Sequence, residues 1–153
     1  MTAITYKSAY AKGEKPTPVV NGSEVLAVRF EFDLDRVTLL DGDIIRMGFV
    51  PANHKVVDWA LDCDDLSDSA AGKFSLGILS AADGIEEDLS GGAGWAVDST
   101  LAQAGGLLRA LTKTHTRMVV SRTADQKVGL VVTESCTGFA TGKIGLTLYM
   151  TAG

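Results

Sequence analysis

Histidine, cysteine and long apolar runs are scarce in this chain, and each scarcity narrows what it can be. His54 and His115 are the only histidines among 153 residues. They stand far apart, without the spacing of a zinc pair, and both read as solvent-facing turn residues. A small cupin-type enzyme needs two or three histidines with a glutamate, so that class is disfavoured. Cys63 and Cys136 are the only cysteines. Far apart and expected on different strands, they read as small core residues rather than a disulfide. No apolar run approaches the roughly 18–20 residues of a membrane span. Residues 1–18 lack the apolar stretch of a secretory signal. The expectation is a protein made and kept in a cytoplasm, without membrane contact.

Positive charge is also short, but unevenly. The net charge is −5. Residues 1–23 carry +2, residues 24–98 carry −11, and residues 99–153 carry +4. An acidic body argues against nucleic-acid binding, which needs a positive surface to displace counterions. Opposite charges on separate stretches suit a second copy or an oppositely charged partner.

What is present is period-two alternation, which a half-buried strand requires because successive side chains point to opposite faces. Residues 24–34 place Leu26, Val28, Phe30, Phe32 and Leu34 on one face. Residues 44–50 form an apolar run, and a Pro51 turn leads into residues 56–63. There Val57, Trp59, Leu61 and Cys63 share one face, which predicts Trp59 in the core beside Val57 and Leu61. Further strands are expected over 72–79, 95–97, 107–112, 116–122, 127–134 and 143–151. One or two helical turns capped by Asp98 or Ser99 would end at Gly105 and Gly106. Eight or nine short strands without a long amphipathic helix give an all-β fold: a sandwich, jelly roll or barrel. Residues 24–153 read as one domain of this kind. Residues 1–23 read as an extended N-terminal arm, with Pro16-Thr17-Pro18 and a stop at Asn21-Gly22. Tyr6, Lys7, Tyr10, Lys12 and Lys15 make the arm a candidate contact with a partner or another subunit, since tyrosine suits interfaces and lysine suits an acidic surface.

No catalytic, metal or cofactor motif assembles. A serine–histidine–aspartate set has no nucleophile-elbow motif behind it. The acids Asp62, Asp64, Asp65 and Asp68 lack the glycine and glutamate of a calcium loop. The Glu86-Glu87-Asp88 run is no better. Gly91-Gly92-Ala93-Gly94 follows a loop and opens no phosphate-binding helix. No catalytic residue, metal site or cofactor is expected.

The order of pieces carries a resemblance. An alternating strand ending near Phe32 is followed by GDIIRMGFVPANHKVVDWALDCDDL, then GKFSLGIL, a loop, TLAQAGGLLR and a terminal KIGLTLYMTAG. This resembles the small capsid decoration or cement proteins of tailed bacteriophages, over roughly residues 24–153. The resemblance implies a jelly-roll-like antiparallel β-sandwich of about eight strands, no enzymatic activity, and a place on the capsid surface of a virion assembled in the host cytoplasm. It implies the major capsid protein as partner, together with self-association as a dimer or trimer. The competing reading is a carbohydrate- or receptor-binding sandwich such as a phage fibre head, for which Trp95 and Tyr149 would be the platform.

Overall fold

A computed structural model describes residues 3–19, 22, 24–66, 71–85, 94–109, 123–138 and 140–153. The strand expected over 116–122, His115, Asp68, the acids at 86–88 and the glycines at 91–92 lie outside these residues.

Nine strands form among them: β1 (Thr5–Lys7), β2 (Leu26–Val37), β3 (Ile44–Val50), β4 (His54–Cys63), β5 (Lys73–Ile78), β6 (Ala96–Ser99), β7 (Gly106–Arg109), β8 (Gln126–Glu134) and β9 (Ala140–Ala152). One sheet runs β1-β3-β8-β5-β6 and the other β2-β9-β4-β7. The pairing is nested. β2 pairs with β9, β3 with β8, β4 with β7 and β5 with β6, each antiparallel, and successive pairs alternate between the two sheets. A long folded-over hairpin wrapped this way is a jelly roll. β1 stands outside that scheme as a fifth strand, parallel to β3.

Alternation explains most of the core. Val28, Phe30 and Leu34 of β2 and Ile144, Leu146, Leu148 and Met150 of β9 are buried from one sheet. Ile45 and Met47 of β3, Phe74, Leu76 and Ile78 of β5, and Val128, Leu130 and Val132 of β8 face them from the other. Layer contact is tight near one side. A Cβ on Gly48 would lie 2.5 Å from the Phe30 ring, so only glycine admits that ring against β3.

The 51–53 turn joins strands of different sheets. It is closed by the His54 N–H donating to the Pro51 carbonyl at 3.2 Å, with Asn53 in the left-handed region. Within β4, the register passes from Val56 opposite Met150 to Asp58 opposite Tyr149, leaving Val57 as an extra residue. This bulge turns Val57 outward, 40% exposed, while Val56 and Trp59 both point inward. His54 is buried, with Nδ1 against the Ala52 carbonyl at 2.8 Å, not solvent-facing. The helical turn is a single 3₁₀ turn, Leu101–Gln103, preceded by Thr100. Ser99 Oγ accepts from the Leu101 N–H at 3.3 Å, so the serine does assist its start.

Candidate interaction surfaces

The first surface is the N-terminal segment. Its backbone is locked at both ends by buried polar side chains. Asp43, 1% exposed, accepts from the Ile4 N–H at 2.8 Å through one oxygen and from the Leu40 N–H at 2.9 Å through the other. Ser8 is also buried; its hydroxyl donates to the Met47 carbonyl and accepts from the Ala11 N–H at 3.2 Å. Between these anchors Tyr6 meets Phe32 at 6.2 Å, and Tyr10 meets Phe30 edge-on at 5.0 Å. Both tyrosines are therefore half-buried on the chain's own core. Burial raises the Tyr6 hydroxyl above its ordinary pKa, with the Asp43 charge adding to it. Lys7, Lys12 and Lys15 are exposed, and the Lys15 ammonium lies 5.9 Å from the Tyr10 ring centre. A cleft of ≈ 290 Å³ opens beside this segment, lined by Tyr10, Lys15, Pro16, Phe49, Pro51 and Asp125 among others.

The second surface is the outer face of the four-stranded sheet. Arg29 of β2 crosses over Gly145 of β9, where any Cβ would strike the guanidinium, and grips Asp62 of β4 with both nitrogens. Glu31 accepts from Lys143 at 3.0 Å. That hydrogen bond, then the neighbouring Arg29, hold the Glu31 carboxyl below its ordinary range against slight desolvation. Arg109 reaches Asp58 at 2.8 Å and lies 5.8 Å from the Tyr149 ring centre. These side chains are roughly half exposed, and such pairs contribute about 0–1 kcal/mol each. They keep the face charged and wetted more than they hold the fold.

A third cluster is better shielded. Asp83, at a left-handed position in the turn after β5, accepts from Arg46 Nε at 3.0 Å and Lys127 Nζ at 2.6 Å. The three side chains are only 16–22% exposed. Burial alone would raise the Asp83 pKa; the hydrogen bonds from Arg46 and Lys127 override it and hold the carboxyl below its ordinary value. Asp83→Asn should cost about 1–2 kcal/mol in urea unfolding at pH 7, allowing for partial exposure. Because the folded pKa is depressed, this stability is present above about pH 4 and is lost as pH falls through the lower folded value. The gap between the two proteins should therefore narrow by pH 3; an unchanged gap would show that the ionised carboxylate is not what matters.

Other candidates resolve into structure. Trp95 is fully buried, which removes it as a sugar platform and leaves Tyr149 alone, half-buried. Cys63 and Cys136 are free and buried. Burial, reinforced by Asp64 and Asp62, pushes the Cys63 thiol up to about 12. Asp62 is taken by Arg29, and Asp64 accepts from the Lys143 N–H at 2.8 Å. Among the described residues no group of three or more histidines, cysteines or acids is arranged to hold a metal ion. Asp43, Ser8 and Asp83 were not singled out from the sequence. The one available signal was Asp41-Gly42-Asp43 directly before an apolar strand, which reads as an ordinary exposed turn.

Two sheets wrapped by nested antiparallel pairs, with a charged outer face on the four-stranded one, define a jelly-roll class of protein. The comparisons make the class specific. A chain in the capsid of Ralstonia phage GP4 is 31% identical, with a TM-score of 0.83, over 97% of this chain and 98% of that one. This chain belongs to the same family, and it is a phage capsid-related structural protein of the virion. A chain of the Cyanophage Pam1 capsid asymmetric unit shares the fold, at 19% identity and a TM-score of 0.58 over 88% of this chain and 91% of that one. No family model and no curated protein matches the sequence.

Proposed function

We propose that this protein is a decoration or cement protein that binds and stabilises the outer surface of a bacteriophage head, without enzymatic activity. The observation that carries the reading is kinship with a phage capsid chain over nearly the whole length. The motifs of residues 42–66 and 143–153 support the decoration class, as do the charged outer faces of a compact sandwich. Its partners on this reading are the major capsid protein and further copies of itself, as a dimer or trimer. Many weak, symmetry-related contacts then sum through avidity, so no single deep pocket is required. The alternative, a carbohydrate- or receptor-binding module, has lost both tryptophans to the core.

The exposed lysines Lys7, Lys12 and Lys15 are the capsid-facing contacts in this proposal. Deleting residues 1–18 would be a poor test, because it also removes β1 and uncovers Phe30 and Phe32. Reversing charge is cleaner. The triple variant Lys7→Glu, Lys12→Glu, Lys15→Glu should keep its melting temperature within a few degrees. Its co-sedimentation with undecorated heads should weaken about tenfold, as expected for loss of complementary charge. Light scattering on the same samples gives the oligomeric state. Wild-type protein that never co-sediments with heads would remove the decoration reading; unchanged binding by the variant would remove only the role of the lysines.

A further inference from the structure

The two sheets end unevenly on one side of the sandwich. β1 adds a strand beyond β3, whereas β2, at the same side of the facing sheet, has β9 on one flank and, among the described residues, no strand on the other. From Leu26 to Leu34 the β2–β9 register is unbroken; a bulge and the left-handed Arg36 then end it. Among the described residues, the backbone of residues 26–35 makes no hydrogen bond outside that ladder. An edge strand of this length presents a row of N–H and C=O groups to any extended chain that fits.

The flank has an apolar shoulder and a charge sign. Phe32 and Leu26 are only half-buried, Val25 is 59% exposed at the start of the strand, and Ile4, just before β1, is 51% exposed. On the outward side, Glu31 is engaged by Lys143. Asp33 and Asp35 are exposed without a hydrogen bond or salt bridge among the described residues; Asp33 stands opposite Lys143 in the ladder and feels its charge, whereas Asp35 lies beyond the regular register. A second copy pairing antiparallel through β2 in a register centred on Asp33 would set Asp33 against its counterpart and Glu31 against Asp35, and like charges across a ladder destabilise it. A basic strand would gain where an identical one loses.

We propose that the β2 edge takes up, by strand addition, an extended partner segment in which Lys or Arg alternates with apolar residues. Main-chain bonds to β2 supply affinity, the apolar side chains cover Phe32 and Leu26, and the basic ones meet Asp33 and Asp35. This deepens the decoration reading by giving the chemistry of the segment captured from the shell, and depends on that reading only for the partner's identity.

The test uses the full chain, ¹⁵N-labelled, with a capped octapeptide alternating Lys and Val as probe and its Glu-Val counterpart as control. The basic probe should slow amide exchange at residues 26–35 about tenfold or more and lose affinity as salt rises. The Glu-Val probe should not bind. In the Asp33→Lys, Asp35→Lys variant, checked for an unchanged melting temperature, the preference should reverse. No protection, protection elsewhere, or equal binding of both probes to the wild type overturns the proposal. Head binding that persists while the basic probe gives no protection overturns strand addition and leaves decoration standing; protection without head binding supports strand addition and removes decoration.

Discussion

Replacing Trp59 with alanine should lower the folding free energy by about 3–5 kcal/mol, the usual cost of emptying a fully buried aromatic site. Trp59 comes from β4 in the four-stranded sheet and is fully buried. Its ring stacks on Trp95 with centroids 6.4 Å apart and planes 15° apart. Trp95 leads into β6 of the facing sheet and donates its backbone N–H to the Leu76 carbonyl at 2.7 Å. The pair therefore joins the layers, and removing one ring leaves the other beside a void that closely packed neighbours cannot fill. Total stability for a domain is about 5–15 kcal/mol, so the variant should be marginal. Denaturant melts measure the loss, and fluorescence of the remaining Trp95 should shift red. A change below about 1 kcal/mol would mean that Trp59 does not occupy the core.

The second large effect is expected from Asp43→Ala, at about 2–4 kcal/mol. Two part-buried backbone donors, Ile4 N–H and Leu40 N–H, lose their acceptor, and each unsatisfied group costs up to about 1–3 kcal/mol. Relief of the buried charge offsets part of the sum. The local consequence is more diagnostic than the total. Ile4 is the residue through which β1 begins its pairing, with its carbonyl accepting from the Ile44 N–H at 2.9 Å. Without Asp43 the segment should loosen, and trypsin should cut faster after Lys7, Lys12 and Lys15. Asp43→Asn keeps one acceptor oxygen and should cost roughly half as much. If the alanine variant is destabilised but cleavage after those lysines is no faster, Asp43 supports the sandwich without holding the N-terminal strand.

The strands legible in the sequence were those whose alternation is unbroken. β2, β8 and β9 each bury one side chain in two across the central part of the sandwich, and their inward residues were read correctly. β4 was half legible. Leu61 and Cys63 fall where alternation puts them, but the bulge at Val57 breaks the parity between Val56 and Trp59. A bulge depends on the register of the partner strand, so alternation within one segment cannot reveal it. Trp95 looked available because Trp59 and Phe74 fall on apolar faces of alternating strands and it does not. Only its approach to Trp59 across the sandwich buries it.

The sequence by itself determined that this chain is all-β, that its core is drawn from Leu, Val, Ile and Phe at every second position, and that its middle is acidic. Those properties are local: they depend on side-chain period, turn residues and charge count. The tertiary structure decided the rest. It sent β3 and β4 to different sheets, although only three residues separate them. It brought Thr5–Lys7 beside β3 and set the Tyr6 and Tyr10 rings, which the sequence alone assigns to a partner, against Phe32 and Phe30. It also buried Asp43 and gathered Arg46, Asp83 and Lys127. The physical reason is that these contacts join residues tens of positions apart. Their value comes from desolvation and hydrogen-bond geometry that exist only once both sheets are in place.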